Sequence, residues 1–115
     1  MPKTNGEVGE AVGLVETLAV VAARLGSFDF RTASDGTEYR RANRAFALVD
    51  LNGRWASFRL STAVASAAIR TPDTTPSDRG SGWVTLEPAA LDGNAIDRAV
   101  AWFESAWRLA GSAGS

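Results

Sequence analysis

The 115-residue chain contains no cysteine and no histidine, and only one lysine and one tyrosine. Without cysteine there is no disulfide framework, thiolate nucleophile, iron–sulfur cluster or zinc ribbon. Without histidine there is no imidazole base, no histidine-ligated zinc or haem, and no side chain that titrates near neutral pH by default. Chemistry is left to carboxylates, hydroxyls and eleven arginines. Long apolar runs are missing too. The most apolar stretch, Leu14 to Leu25, is interrupted by Glu16, Thr17 and Arg24, which excludes a bilayer span by length and charge. The opening MPKTNGEVGEAVG lacks the basic-then-apolar order of a signal peptide. The expectation is a cytoplasmic protein with no membrane partner.

What is present reads as one globular domain. Hydrophobic residues make up 45% and charged residues 22% of the chain, ordinary values for a chain that folds around its own core. The net charge of −1 gives no global attraction to nucleic acid or anionic lipid. The charge is nevertheless unevenly placed: residues 31–79 carry eight Arg against five carboxylates, and both flanking segments are net acidic. An arginine excess over lysine of this size is what a GC-rich bacterial genome produces. It is also what planar, bidentate contacts to phosphate or carboxylate require.

Residues 1–6 and 111–115 (GSAGS) read as flexible tails around a domain spanning 7–110. A first helix is expected from Glu7 to Leu25. Val8, Val12, Val15, Ala19 and Ala22 form its stripe, widened by Leu14, Leu18, Val21 and Leu25, and Gly26 is its stop. Phe28, Phe30 and Thr32 alternate with polar residues as a half-buried strand. Ser34-Asp35-Gly36 is a turn, and Thr37–Arg41 begins the return. Asn52-Gly53 separates Ala45–Leu51 from Arg54–Leu60 as a two-residue hairpin. That loop pairs Val49 with Ala56 and Ala47 with Phe58 on an apolar face. It places Phe46, Leu48, Asp50, Trp55, Ser57 and Arg59 on a mixed, partly exposed face.

Ser61 or Thr62 caps a short Ala-rich helix that ends before Thr71-Pro72. Residues 71–82 read as a loop, and Trp83–Glu87 as the last strand. A final helix runs from about Asp92–Asn94 to Leu109, with Ile96, Val100, Phe103 and Trp107 as its stripe and Glu104–Arg108 as an i,i+4 pair. The expected fold class is α+β, with an antiparallel sheet of about four strands, helices on one face and the order α-β-β-β-α-β-α.

Searches for catalytic motifs return little. There is no phosphate-binding loop, because Gly80-Ser81-Gly82 precedes a strand rather than a helix. No carboxylates fall at metal-ligand spacing. Asp92 and Asp97 suit helix capping, Asp73 and Asp78 suit a solvated loop, and a Ser-Lys dyad would have to use Lys3 in the N-terminal tail. The chain is therefore expected to be non-enzymatic, with no catalytic residues, no cofactor and no metal. Arginine and tryptophan remain as recognition residues. Arg40, Arg41, Arg44, Arg54 and Arg79 are the candidates for nucleic-acid backbone contacts, against a reading in which a strand-edge Arg run is solvated and deters aggregation. Phe46, Trp55 and Arg59 on the mixed face are the candidates for a protein partner, a homodimer or a small ligand.

The run Arg44-Ala45-Phe46-Ala47-Leu48, the Arg54–Leu60 strand, the Ala-rich helix, Gly82-Trp83-Val84-Thr85-Leu86 and the closing Ala106-Trp107-Arg108-Leu109-Ala110 resemble the MmcQ/YjbR-like family. The resemblance covers roughly residues 7–110 and lies mostly in element order. It implies a small bacterial α+β "double wing" domain of the YjbR/CyaY-like type, whose members commonly carry a DNA-binding label by structural analogy. Salt-sensitive DNA affinity is the partner this resemblance implies.

Overall fold

Short turns set the registers of the sheet. The computed structural model describes residues 3–112, with side chains described from residue 13 onward. Its elements are α1 (Lys3–Leu25), β1 (Asp29–Ala33), β2 (Gly36–Arg41), β3 (Arg44–Asp50), β4 (Ala56–Arg59), α2 (Thr62–Ala68), β5 (Thr74–Pro76), β6 (Trp83–Leu86) and α3 (Gly93–Ser112). One six-stranded antiparallel sheet has the strand order β1-β2-β3-β4-β6-β5.

The α+β class and the antiparallel sheet agree with the sequence reading, while the strand count and element order do not. Four strands precede α2 and two follow it. The β2–β3 connection is a tight hairpin over Ala42 and Asn43, both at positive φ (54° and 64°). Such a turn suits asparagine but gives no glycine signal at Ala42. Within the expected loop, Thr74–Pro76 pairs with Val84–Leu86 as a three-residue edge strand.

The β3–β4 register is the one the sequence implies, with Ala47 opposite Phe58, Leu48 opposite Ser57 and Val49 opposite Ala56. The turn itself is wider. The Asp50 carbonyl accepts from Gly53 N (2.9 Å) and its Oδ2 from Arg54 N (3.0 Å), so the loop spans Leu51–Arg54. Only Gly53 there has positive φ (72°). The wider turn conserves the register because it adds one residue on either side of Asn52-Gly53.

One irregularity decides which faces are filled. Tyr39 stands opposite Ala47 but Arg40 opposite Ala45, so Phe46 is the extra residue of a β-bulge. A bulge re-aims a side chain that simple alternation would send to the other face. Phe46 turns inward against Tyr39 (6.2 Å between centroids) and edge-on against Phe103 (5.3 Å), and is fully buried. The sequence expectation that Phe46 lies on the mixed face is thereby corrected.

The helices cover that same apolar side. From α1, Leu14, Leu18, Val21 and Ala22 are buried, whereas Ala19 of the expected stripe is exposed. The helix kinks at Gly13 (φ 53°, ψ −146°). Its end is closed by Gly26, which donates to Ala22 O (2.8 Å) and whose carbonyl accepts from Trp107 Nε1 (2.8 Å). In α2, Ser61 is the N-cap and accepts from Val64 N. In α3 the buried residues are Ala95, Ala99, Phe103, Ala106 and Ala110. The stripe is rotated one position from the expected one, because alanines let the helix approach the sheet closely while Ile96, Val100 and Trp107 pack at its flanks.

Asp92 caps α3 by accepting from Ala95 N (2.9 Å). The helix continues through Gly111 to Ser112, where the sequence suggests a cap and a tail; residues 1, 2 and 113–115 of the expected tails lie outside the described residues. Glu104 pairs with Arg24 of α1 (2.7 Å) rather than with Arg108.

Truncating Phe46 to Ala is expected to cost about 3–5 kcal/mol of unfolding free energy, the range for a buried phenylalanine, read from urea denaturation. A cost under about 0.5 kcal/mol, typical of surface substitutions, would place Phe46 on the solvent side.

Candidate functional site

The face of the sheet opposite the helices is polar and carries several of the candidate residues, among them Arg40, Trp55, Arg59 and Arg79. A single row crosses all six strands: Arg31, Glu38, Leu48, Ser57, Thr85 and Thr75, each in register with the next. The next row toward the β2–β3 turn carries Asp29, Arg40, Arg59 and Trp83. The opposite end carries Asp50, which holds Arg54 through its Oδ2 (3.5 Å to Nε).

Glu38 organises this face. It is only 7% exposed, yet it carries a charge that burial alone would disfavour. Its Oε1 accepts from Arg31 Nε (2.5 Å) and Arg40 Nη1 (3.4 Å), and its Oε2 lies 3.6 Å from Arg79 Nη2. Burial pushes its pKa up, but the hydrogen bond and charge of Arg31, with Arg40, outweigh it, so Glu38 is held below the usual carboxylate range. Arg40 also donates to Asn43 O (2.9 Å), tying the β2–β3 turn to the cluster. The Arg79 guanidinium sits over the Trp83 ring (4.7 Å to its centroid), which draws the Ser77–Arg79 segment across the sheet.

Beneath that segment runs a groove of about 280 Å³. Leu48, the Ser57–Thr85 hydroxyl pair (2.7 Å apart) and Trp55 line it on the sheet side. Ser77, Asp78 and Arg79 form the loop wall, and Asp35 and Glu87 complete the rim. Leu48 is buried although it points away from the helices, because these side chains cover it. Trp55 is half-buried, with one side on the groove. The groove can hold a small polar group between an aromatic wall, hydroxyls able to donate or accept, and charges of both signs.

The structure separates the five arginines proposed for nucleic acid. Arg40 and Arg79 meet at Glu38. Arg44 is exposed beside the β2–β3 turn. Arg54 lies at the other end of β3, on Asp50. Arg41 crosses to the helical side, where it donates to Trp107 O (2.9 Å) and stacks on the Trp107 ring (3.6 Å). Gly111, one turn on, has no Cβ to obstruct that guanidinium. Of the three partner-face residues, Trp55 and Arg59 are on the open face and Phe46 is not. Glu38, Arg31, Ser57 and Thr85 were not among the expected site residues. The Ser34-Asp35 turn carries the signal for the first two, since a two-residue loop there sets Arg31 opposite Glu38.

Comparison with known proteins returns the architecture and little else. No protein-family model matches the chain, and no curated protein matches it. A crystal structure of a protein from Pseudomonas syringae, solved as a structural-genomics target, superposes with a TM-score of 0.59 at 13% identity, covering 83% of this chain and 97% of that one. Likeness at that identity shows a shared fold alone. Among the described residues no helix is long and apolar enough to cross a membrane, and no group of three or more acidic side chains could hold a metal ion. Asp73 is engaged locally, accepting from Ala89 N (3.2 Å), while Asp78 stands on the groove rim. The Lys3 side chain lies outside the described residues.

The lowered Glu38 pKa fixes the sign of a pH effect. A carboxylate whose folded pKa lies below its unfolded one adds stability above the unfolded value, and that stability fades as pH falls through the folded one. Glu38→Gln is expected to cost about 1–2 kcal/mol at neutral pH, since Arg31, the closest partner, is largely solvated and screens the loss. The gap from wild type should narrow as the medium is acidified below the ordinary carboxylate pKa. Thermal melts across pH check this, and parallel curves for the two proteins would contradict it.

Proposed function

We propose that this chain is a non-enzymatic binding module of the bacterial cytoplasm, of the MmcQ/YjbR kind, that takes a small polar ligand or a partner's polar segment in the groove beside Trp55. The observation that carries this reading is the groove itself. It is a concavity on the helix-free face, with a half-buried tryptophan on one wall and a hydroxyl pair at its floor. Partly buried aromatic surface beside convergent polar groups is the usual make-up of a ligand site. The family reading draws support from the Ala-rich helix, the Trp-Val strand and the closing helix, which occur in that sequence, although β5 stands between the first two.

A second reading, nucleic-acid binding, is favoured by one observation. Arg31, Arg40 and Arg79 converge on Glu38, and Arg59 stands in register with Trp83, which Arg79 covers, all on the open face. Against them stand Asp35, Asp78 and Glu87 at the groove rim, which would repel a phosphate backbone passing over that face. The ligand reading therefore leads.

Amide NMR of the full chain separates the two. Titration with a library of small polar compounds should move the Trp55, Ser57, Thr85 and Arg79 resonances. Trp55→Ala should weaken the best binder about tenfold, the value of one aromatic contact. A short DNA duplex at low salt should leave the groove signals in place. If only the duplex binds, and Arg40→Glu with Arg79→Glu abolishes it while Trp55→Ala does not, the second reading replaces the first. Arg41 is left untouched in that test because of its contact with Trp107.

A further inference from the structure

The two edges of the sheet are finished differently. On one side β5 is three residues long and ends in Pro76, a short, proline-bearing edge that resists further pairing. On the other side β1 is five residues long, contains no proline, and is exposed at its first four residues. Among the described residues it pairs only with β2, so alternate backbone N–H and C=O groups along its outer side face away from the sheet toward another strand. Phe30, at its second position, is 63% exposed. It extends a row of rings through Phe28 (6.2 Å between centroids) and Tyr39 (6.2 Å) to the edge of the apolar face. Protein edges are usually blunted by charge, proline or a bulge, and here the charges are of a special kind. Asp29-Phe30-Arg31 reads acid–aromatic–base, which is self-complementary when the strand is turned end for end.

We propose that β1 is a homodimerisation edge, on which a second copy of this chain adds its own β1 in antiparallel register centred on Phe30. In that register Asp29 stands opposite the partner's Arg31 and Arg31 opposite the partner's Asp29, both pairs on the polar side of the joined sheets. The two Phe30 rings meet on the helical side. Opposite charges directly across an antiparallel pair stabilise it, and like charges destabilise it. A slide by two residues, which recentres the pair on Arg31, would set Arg31 against the partner's Arg31, so charge fixes the register as well as the partner. Asp29 lies in register with Arg40 and Arg31 holds Glu38 within each chain. Each new pair thus joins an existing charge row, and the Arg31 side chain remains 66% exposed for it. The result is a two-fold, closed association: each β1 is used up by the other, and each β5 is a poor acceptor. This proposal does not rest on the groove beside Trp55.

Sedimentation velocity of the full chain, at concentrations up to about 1 mM where weak association becomes visible, tests it. Wild type is expected to sediment as two chains. Asp29→Arg and Arg31→Asp, each alone, set like charges opposite one another and should give monomers. Mixing the two variants restores both opposite-charge pairs and should return a heterodimer. Phe30→Asp, which leaves the Glu38 cluster intact, should also be monomeric, with circular dichroism confirming that each variant is folded. A monomeric wild type overturns the proposal. So does a dimer that survives the single variants, or a mixture that stays monomeric.

Discussion

The β-bulge at Phe46 is the constraint on which the arrangement of both sheet faces depends. Regular alternation along β3 would set Phe46 beside Arg59 on the open face and leave Phe103 with Tyr39 but without Phe46 as a ring partner. The extra residue turns Phe46 inward, where it joins Tyr39 and Phe103 in edge-on and tilted contacts. These three rings, with the alanines of α3, let helix and sheet approach closely. Burial raises the Tyr39 pKa above its ordinary value, so a phenol that is already neutral at ordinary pH resists ionisation further within the core.

The same bulge frees the other face for polar work. With Phe46 removed from it, the only large apolar group on the row at β3 is Leu48, and the groove-lining side chains cover that residue. Glu38 can then be buried on this side without a helix over it, because three arginines from β1, β2 and the Ser77–Arg79 loop surround it. A buried carboxylate is tolerated when such partners satisfy it. Arg79 couples this cluster to the groove, since it touches Glu38, stacks on Trp83 and forms one wall. The charge pattern of the open face is therefore divided, arginine-rich toward the β2–β3 turn and acidic toward Asp35 and Glu87. A divided surface suits a small polar ligand better than an extended polyanion.

Local signals in the sequence read well and long-range ones less so. The α+β class, Ser61 and Asp92 as caps, Gly26 as a stop and the β3–β4 register all rest on neighbours a few residues apart. Alternation points Phe46 to the open face because it carries no mark of a bulge; only the pairing with β2 creates it. In α3 the bulkiest residues suggest one stripe, whereas close packing buries Phe103 with the alanines one position away. β5 was hidden because Thr74–Pro76 becomes a strand only by pairing with β6 across a loop. The arginines could be counted but not assigned to faces. Arg41 and Arg40 are adjacent in sequence, and strand alternation sends one to Trp107 and the other to Glu38.

The most direct test of this account is the set of proton–proton proximities around the Phe46 ring, measured by nuclear Overhauser spectroscopy on the intact protein. The bulged register predicts cross-peaks from the Phe46 ring to the rings of Tyr39 and Phe103, and none to the Arg59 side chain. Cross-peaks between Phe46 and Arg59, with Phe103 silent, would show an unbulged strand and an open face built differently from the one described.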